Sequence, residues 1–387
     1  MSKRAGKTDR TGPFRVLHLR ANFERDSREA PIVRLMNHWG QRISHDLLLG
    51  DPFANSARRA LDPGLAVRFL REPVLQGRPT SGKLLALGRL MQNYDLVLSF
   101  GWGAINGIMA HRLLRRVEHL PPLIHHAQGI DVHARGSGNS TRNLYRRIAL
   151  AGIHALVVPS NRLAHVAQQE WHIKAERVHQ IPNGIDVAAY AAPSPRSGTP
   201  GLAAQDGRLI VGTAAGAGSE PAVGRLMRAI APLRDRLRLA VMAEGADRES
   251  ILAEAAAQGL DDVLMPPVTP LPQDYLGLID IFAFSPDSGP FPVSLVEAMA
   301  AGRPIVAPDF GDVSAMVAPA NRRFVARPDD AAGLRAALEA LAVDPDLRAH
   351  LGEANRKRAR QCFDEAVMVR LYAGLYGAAM GDPLALI

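Results

Sequence analysis

The sequence is short of cysteine, of aromatic residues and of long apolar runs, and each shortage excludes something. One cysteine, Cys362, among 387 residues can close no intramolecular disulfide and supplies no thiolate cluster for a metal, so a reducing compartment is expected. No uninterrupted apolar run approaches the ~20 residues of a membrane-spanning helix, and the basic opening "MSKRAGKTDRTGP" lacks the apolar segment that follows in a signal peptide. A cytoplasmic chain that does not cross a membrane is expected. Aromatics are only 5% of residues, too few for base-stacking platforms, and the arginines are spread over many segments rather than gathered in one recognition helix. No nucleic-acid partner is expected.

What is present points to a two-domain globular protein. Apolar residues make up 47% and charged residues 22%, the usual balance of a packed chain, and the length exceeds one ordinary core. The net charge of +8 hides an asymmetry: residues 1–200 carry 28 Lys+Arg against 14 Asp+Glu, and the remainder 18 against 24. A basic first half attracts polyanions, and an anionic membrane surface is the partner this favours, with placement at the inner face of the membrane. A merely well-solvated arginine surface is the plainer alternative.

Short runs rich in Val, Ile and Leu alternate with amphipathic stretches along the whole chain, the pattern of βα units around parallel sheets. "FRVLHL", "HDLLLG", "YDLVLSF", "PLIHHA" and "HALVVPS" read as strands of a first half. "RLIVGT", "RLAVMAEG", "DDVLMPP", "IDIFAFS", "RPIVAPD" and "RRFVA" read as strands of a second. "EPAVGRLMRAIAPL" and "DDAAGLRAALEALA" have helical spacing. Pro, Ser and Gly break every period between Ala191 and Gly201. The expected domains are therefore 1–190, 202–365, and a terminal helix over 366–387 that returns to the first. "ARGSGNSTRNLYRR", Ala134 to Arg147, reads as a polar loop entering a basic helix, suited to acceptor or membrane contact or simply to solvation. Seven of the thirteen histidines lie between His125 and His179, but none forms a recognisable metal pair with an acid, so no metal is expected.

Taken together, "IPNGIDVAAY", "GLIDIFAFSPDSGPFPVSLVEAMAAGRPIVAPDFGDVSAMV" and the two-sheet pattern resemble glycosyltransferase family 4, the retaining enzymes of the GT-B fold. The likeness extends to "VLHLRANFERDSREAPIVRL", "HHAQGIDVHARG" and "VGTAAGAGSEPAVGRLMRAIA". It implies two Rossmann-like domains facing each other across a cleft. The first would hold the acceptor and the second a nucleotide-sugar donor, with no further cofactor. It places Glu297 at the ribose hydroxyls, and Ser294, Gly216 and the stretch Gly289, Pro290, Phe291 and Pro292 around the donor phosphates. Physics agrees: a glycine-proline loop running into a helix near Pro292 offers N–H groups and a partial positive charge to an anion.

Several positions depart from the family pattern. The Arg and Lys that normally meet the diphosphate fall on Gly216 and Pro221, the first acid of the E-x7-E motif on Gly289, the phosphate-approaching Gly-Gly pair on Asp26 and Ser27, and the histidine near the sugar on Gln128. A carboxylate at Asp26 would repel a phosphate about 4 Å away by about 4 kcal/mol at an effective dielectric near 20. Gln128 keeps hydrogen bonding but not titration, and Asp287 can stand in for the missing acid; these two are the catalytic candidates. Arg225 or Arg228 can replace the cations if their helix turns inward, although at i, i+3 they also suit a solvated face. His126, Asp131 and Arg135 complete the acceptor-side set; His125 and His126 are adjacent on a strand, so at most one faces the site. "GTAAGAG" lacks the Lys-Ser/Thr of a P-loop and reads as a βα turn able to wrap a phosphate through its backbone.

Two functions follow from the resemblance. One is a retaining transferase of envelope or exopolysaccharide assembly, acting on a lipid-linked or phosphate-bearing acceptor. The other is an inactive pseudo-glycosyltransferase that binds glycan or supports an active glycosyltransferase partner.

Overall fold

A computed structural model describes residues 12–24, 30–127, 138–191, 207–215, 220–243, 247–266, 272–284 and 291–387. The chain divides into two compact units, Met1–Pro182 with Met368–Ile387, and Asn183–Val367. Most of the Ala191–Gly201 stretch lies outside the described residues.

The first unit runs β1 (Phe14–Arg20), α1 (Ala30–Trp39), β2 (Ile43–Leu49), β3 (Val67–Leu70), α2 (Ser81–Met91), β4 (Leu96–Phe100), α3 (Ile105–Leu114), β5 (Leu123–His126), α4 (Gly138–Leu150), β6 (Ala155–Val158), α5 (Asn161–Gln169) and β7 (Val178–Gln180). Its seven strands are all parallel, in the order β3-β2-β1-β4-β5-β6-β7. Alternation along each strand sorts side chains between two layers. Val16, Leu47, Leu98, Ile124 and Val157 pack with α1 and the C-terminal segment. Leu17, Leu48, Val97, Leu123 and Leu156 pack with α2, α3, α4 and α5. The edge strands β3 and β7 are absent from the sequence expectation. "VRFL" and "VHQ" are short and only partly buried, so they lack the apolar run that marks a central strand.

The second unit runs β8 (Leu209–Ala214), α6 (Glu220–Ile230), β9 (Leu237–Met242), α7 (Asp247–Ala257), α8 (Pro272–Leu276), β10 (Ile281–Ala283), α9 (Val293–Ala300), β11 (Ile305–Pro308), α10 (Val313–Met316), β12 (Val325–Ala326), α11 (Ala331–Val343) and α12 (Pro345–Cys362). The sheet is again parallel, ordered β12-β11-β10-β8-β9. "DDVLMPP" does not become a strand: it contributes one bridge, Leu264 to Ala240, because its closing prolines cannot donate to a ladder. Helices α6, α7 and α11 cover one face; α8, α9, α10 and the end of α12 cover the other. The last helix, α13 (Glu365–Met380), begins in this unit, and from Met368 its residues belong to the first.

One close approach fixes the second unit. α9 ends at Gly302, whose φ of +70° suits a residue without a Cβ. Gly352 of α12 lies directly against the Gly302 carbonyl, so that a Cβ at 352 would collide with backbone. Gly352→Ala gains helix propensity yet forces α12 off α9. A net loss of about 1–3 kcal/mol, read as an earlier urea midpoint, is expected.

Candidate functional site

In the second unit the chain steps from β8 to β9 toward one edge and from β10 to β11 toward the other, so the connections diverge between β8 and β10. The C-terminal edge at such a switch point is where parallel sheets bind ligands. Helix α9 follows β10 and starts at this edge. Its N-cap is Pro292, which makes no side-chain capping bond, so the N-cap side chain does not occupy the first N–H groups or the positive end of the helix.

The exposed stripe of α9 is narrow. Leu295, Val296, Ala298, Met299 and Ala300 are buried, while Val293, Ser294 and Glu297 are half-buried. Ser294 and Glu297, three apart, share one helix face. Tyr190 donates its hydroxyl to Glu297 Oε1 at 3.0 Å, holding the carboxylate in one orientation. Tyr190 is itself set by a short turn in which Asp186 Oδ1 accepts from the Ala188 and Ala189 N–H groups. Just before the helix, the Phe291 ring meets Phe363 edge-on at 5.9 Å. Glu297, Ser294, Pro292 and Phe291 are therefore brought together, and Tyr190 joins them.

Sequence reasoning missed Tyr190. It closes "IPNGIDVAAY", which entered only as part of the family likeness, and nothing in its spacing announces a partner 107 residues away. Tyr190→Phe removes a hydrogen bond to a charged group from a partly buried pair, and is expected to cost about 1–2 kcal/mol. Chemical denaturation of the two proteins checks this.

Pro221 is exposed in the first turn of α6 and Arg225 is half-buried on the same helix. Arg228 pairs with Glu254 of α7 at 3.7 Å. Both arginines line an open groove of about 640 Å³ between α6 and α7, with Ser250 and Glu254, on the sheet face opposite α9. Arg228 is thus engaged with α7. Gly216, Asp287, Gly289 and Pro290 lie outside the described residues, as do Asp26, Ser27, Gln128, Asp131 and Arg135.

In the first unit His125 and His126 point to opposite sheet faces, as adjacent strand positions must, and both are buried. His126 Nδ1 lies 3.2 Å from the Ser99 carbonyl, and Tyr376 of α13 meets Nε2 at 2.6 Å. The carbonyl requires Nδ1 to donate, so Nε2 accepts from the tyrosine. His126, expected on the acceptor side, is thus packed beneath α13. His125 Nδ1 lies 3.0 Å from the Ser99 hydroxyl. Burial, with like charges adding to it, lowers the pKa of each histidine to about 3. Among the described residues, no group of three His, Cys, Asp or Glu side chains is arranged to hold a metal ion, and no helix is long and apolar enough to cross a membrane.

Comparison with known proteins places these features. Residues 33–189 match the model of Glycosyltransferase Family 4, and residues 203–358 that of Glycosyl transferases group 1. A GDP-mannose-dependent alpha-mannosyltransferase of Mycolicibacterium smegmatis is 28% identical over 195 residues, 49% of this chain and 48% of that protein. The chain spans about half the length of the curated relatives it matches. The fold is shared with Anabaena HepE, solved with UDP, at a TM-score of 0.74 and 18% identity, covering 94% of this chain and all of that one. A glycosyltransferase from Rickettsia africae aligns at a TM-score of 0.76 and 14% identity, covering 95% and 99%. With one family model matched in each half, and two parallel-sheet Rossmann-like units of the GT-B type, the chain belongs to the group 1 and family 4 glycosyltransferases.

Proposed function

We propose that the protein transfers a sugar from a nucleotide sugar, with retention of anomeric configuration, to a lipid-linked or phosphate-bearing acceptor in envelope or exopolysaccharide assembly. The second unit takes the donor: Glu297 receives sugar or ribose hydroxyls, and the N–H groups opening α9 receive phosphate oxygens. The single observation that carries this reading is the Glu297 carboxylate, which accepts a hydrogen bond from Tyr190 on the half-buried stripe of α9. Departure of a nucleoside diphosphate builds negative charge, and a helix start offers fixed dipoles to it without reorganisation.

Among the described residues, Pro221 stands where the resemblance puts a Lys, and Arg228 lies 3.7 Å from Glu254 of α7. Those two facts favour the second reading, a glycan-binding or partner-supporting protein that has lost transfer. Incubating the protein with uridine, guanosine and adenosine diphosphate sugars and a lipid-linked glycan fraction separates the two. Release of nucleoside diphosphate, sharply reduced by Glu297→Ala, with the α or β configuration of the donor kept in the product, is expected. An inverted product, or release indifferent to Glu297, contradicts the proposal; no release across the panel favours the second reading.

A further inference from the structure

Helices α3 and α4 lie side by side on the same face of the first sheet, both contributing to the core beneath. The end of α3 with the turn that follows it, and α4, carry the same outward pattern. "LLRRV" (113–117) presents Leu113, Arg116 and Val117, and "LYRRI" (144–148) presents Leu144, Arg147 and Ile148. The four apolar side chains are 59%, 75%, 54% and 48% exposed respectively; what matters is that they come from two adjacent segments rather than singly.

The inner arginines of α4 are used differently. Arg142 stacks on Trp102 at 4.6 Å, and Arg146 lies over Trp102 and Trp171 at 5.2 and 4.5 Å. These cation–π contacts fix the rotation of α4, so its outward stripe of Leu144, Arg147 and Ile148 follows from packing on the opposite side. Further positive charge gathers where α4 ends. Arg115 donates to the Gly152 carbonyl at 2.6 Å, and Arg177 to the carbonyls of Ala151 and Ile153 at 3.4 Å. Arg115 sits among Arg112, Arg116 and Arg177, whose like charges add to the burial that lowers its pKa. The nearby Glu118 is bonded to Gln92.

We infer that the α3–α4 face, through Leu113, Arg116, Val117, Leu144, Arg147 and Ile148, docks on an anionic phospholipid surface. Apolar groups flanked by long cations are what an interface of acyl chains and charged headgroups receives: the aliphatic tips enter, and the guanidinium groups stay with the phosphates. Two copies of this face would bring arginine onto arginine, which disfavours self-association. The inference does not depend on whether the donor site is active.

Sedimentation with phosphatidylcholine vesicles, with and without phosphatidylglycerol, tests it on the full chain. Wild type is retained by the anionic vesicles and not by the neutral ones, less so as salt rises. Arg116→Gln with Arg147→Gln weakens partitioning about thirtyfold, given about 1 kcal/mol per basic residue at such a surface. Leu144→Ser with Ile148→Ser weakens it at least about tenfold and makes the remainder fully salt-labile. These positions are exposed, so thermal melting should be unchanged and a folding defect can be told apart. Arg59→Gln with Arg370→Gln, exposed positions in the opposite layer, removes the same charge and serves as the control, with less than about a threefold effect expected. No retention, equal retention by neutral vesicles, or an equal loss in the control pair overturns the inference. A dimer without vesicles that the same substitutions abolish would assign the face to a second copy instead.

Discussion

Gly216→Arg, Pro221→Lys and Gly289→Glu, introduced together, are expected to tighten nucleotide-sugar binding by roughly two to four orders of magnitude. A charge-assisted hydrogen bond to phosphate contributes about 1.5–3 kcal/mol in a typical site, and the family resemblance puts two such cations at positions 216 and 221. Pro221 is exposed in the first turn of α6, so a lysine there displaces nothing, and removing a proline from a helix start costs little. The gain depends on the backbone having kept its course. An unchanged affinity, with the triple variant folded, would mean that these loops no longer approach the phosphates and that resemblance alone had placed them there.

Acid is expected to unfold the first unit well before the second. Burial lowers the pKa of His45 to about 4 and of His125 and His126 to about 3, and holds His18 well below its usual value, with like charges adding to the effect at His18, His125 and His126. In the unfolded chain each returns to about 6.5. Between those values the unfolded state binds protons that the folded state refuses. Stability is therefore fully present above about pH 6.5 and is lost as pH falls toward 4, by up to about 1.4 kcal/mol per pH unit for each histidine. Four such residues exhaust a typical domain stability of about 5–15 kcal/mol near pH 5. The second unit has one histidine, His350, and it is exposed. All three tryptophans, Trp39, Trp102 and Trp171, lie in the first unit, so their fluorescence reports that unit alone. The expected result is a tryptophan transition near pH 5 while much of the far-ultraviolet helical signal persists. A single coincident transition, or none above pH 4, would contradict this.

The parts of the fold legible in sequence were those where burial on both faces writes a continuous apolar run. β1, β2 and β4 are of this kind, as are α6 and α11 with their three- and four-residue leucine spacing. The edge strands β3 and β7 were not legible, because half-exposed "VRFL" and "VHQ" carry no run. "DDVLMPP" had the run but also the prolines, and tertiary pairing could not overrule them. At the candidate site, the helix start near Pro292 was legible, since a glycine-proline stretch precedes an amphipathic one, whereas Glu297 came from the resemblance. The bond from Tyr190 was not, because a contact across more than a hundred residues leaves no local period. The covering of His126 was not legible for a related reason: alternation says that one of two adjacent histidines faces each way, but not that a helix from the far end of the chain packs on the one named.

The most direct test is a calorimetric titration of wild type and Glu297→Ala with UDP-glucose, GDP-mannose and ADP-glucose. If Glu297 and the start of α9 hold the donor without the usual cations, at least one sugar nucleotide binds wild type with a Kd from roughly 0.1 to 10 mM, and Glu297→Ala abolishes that binding. Micromolar binding, or binding that survives Glu297→Ala, would contradict the account.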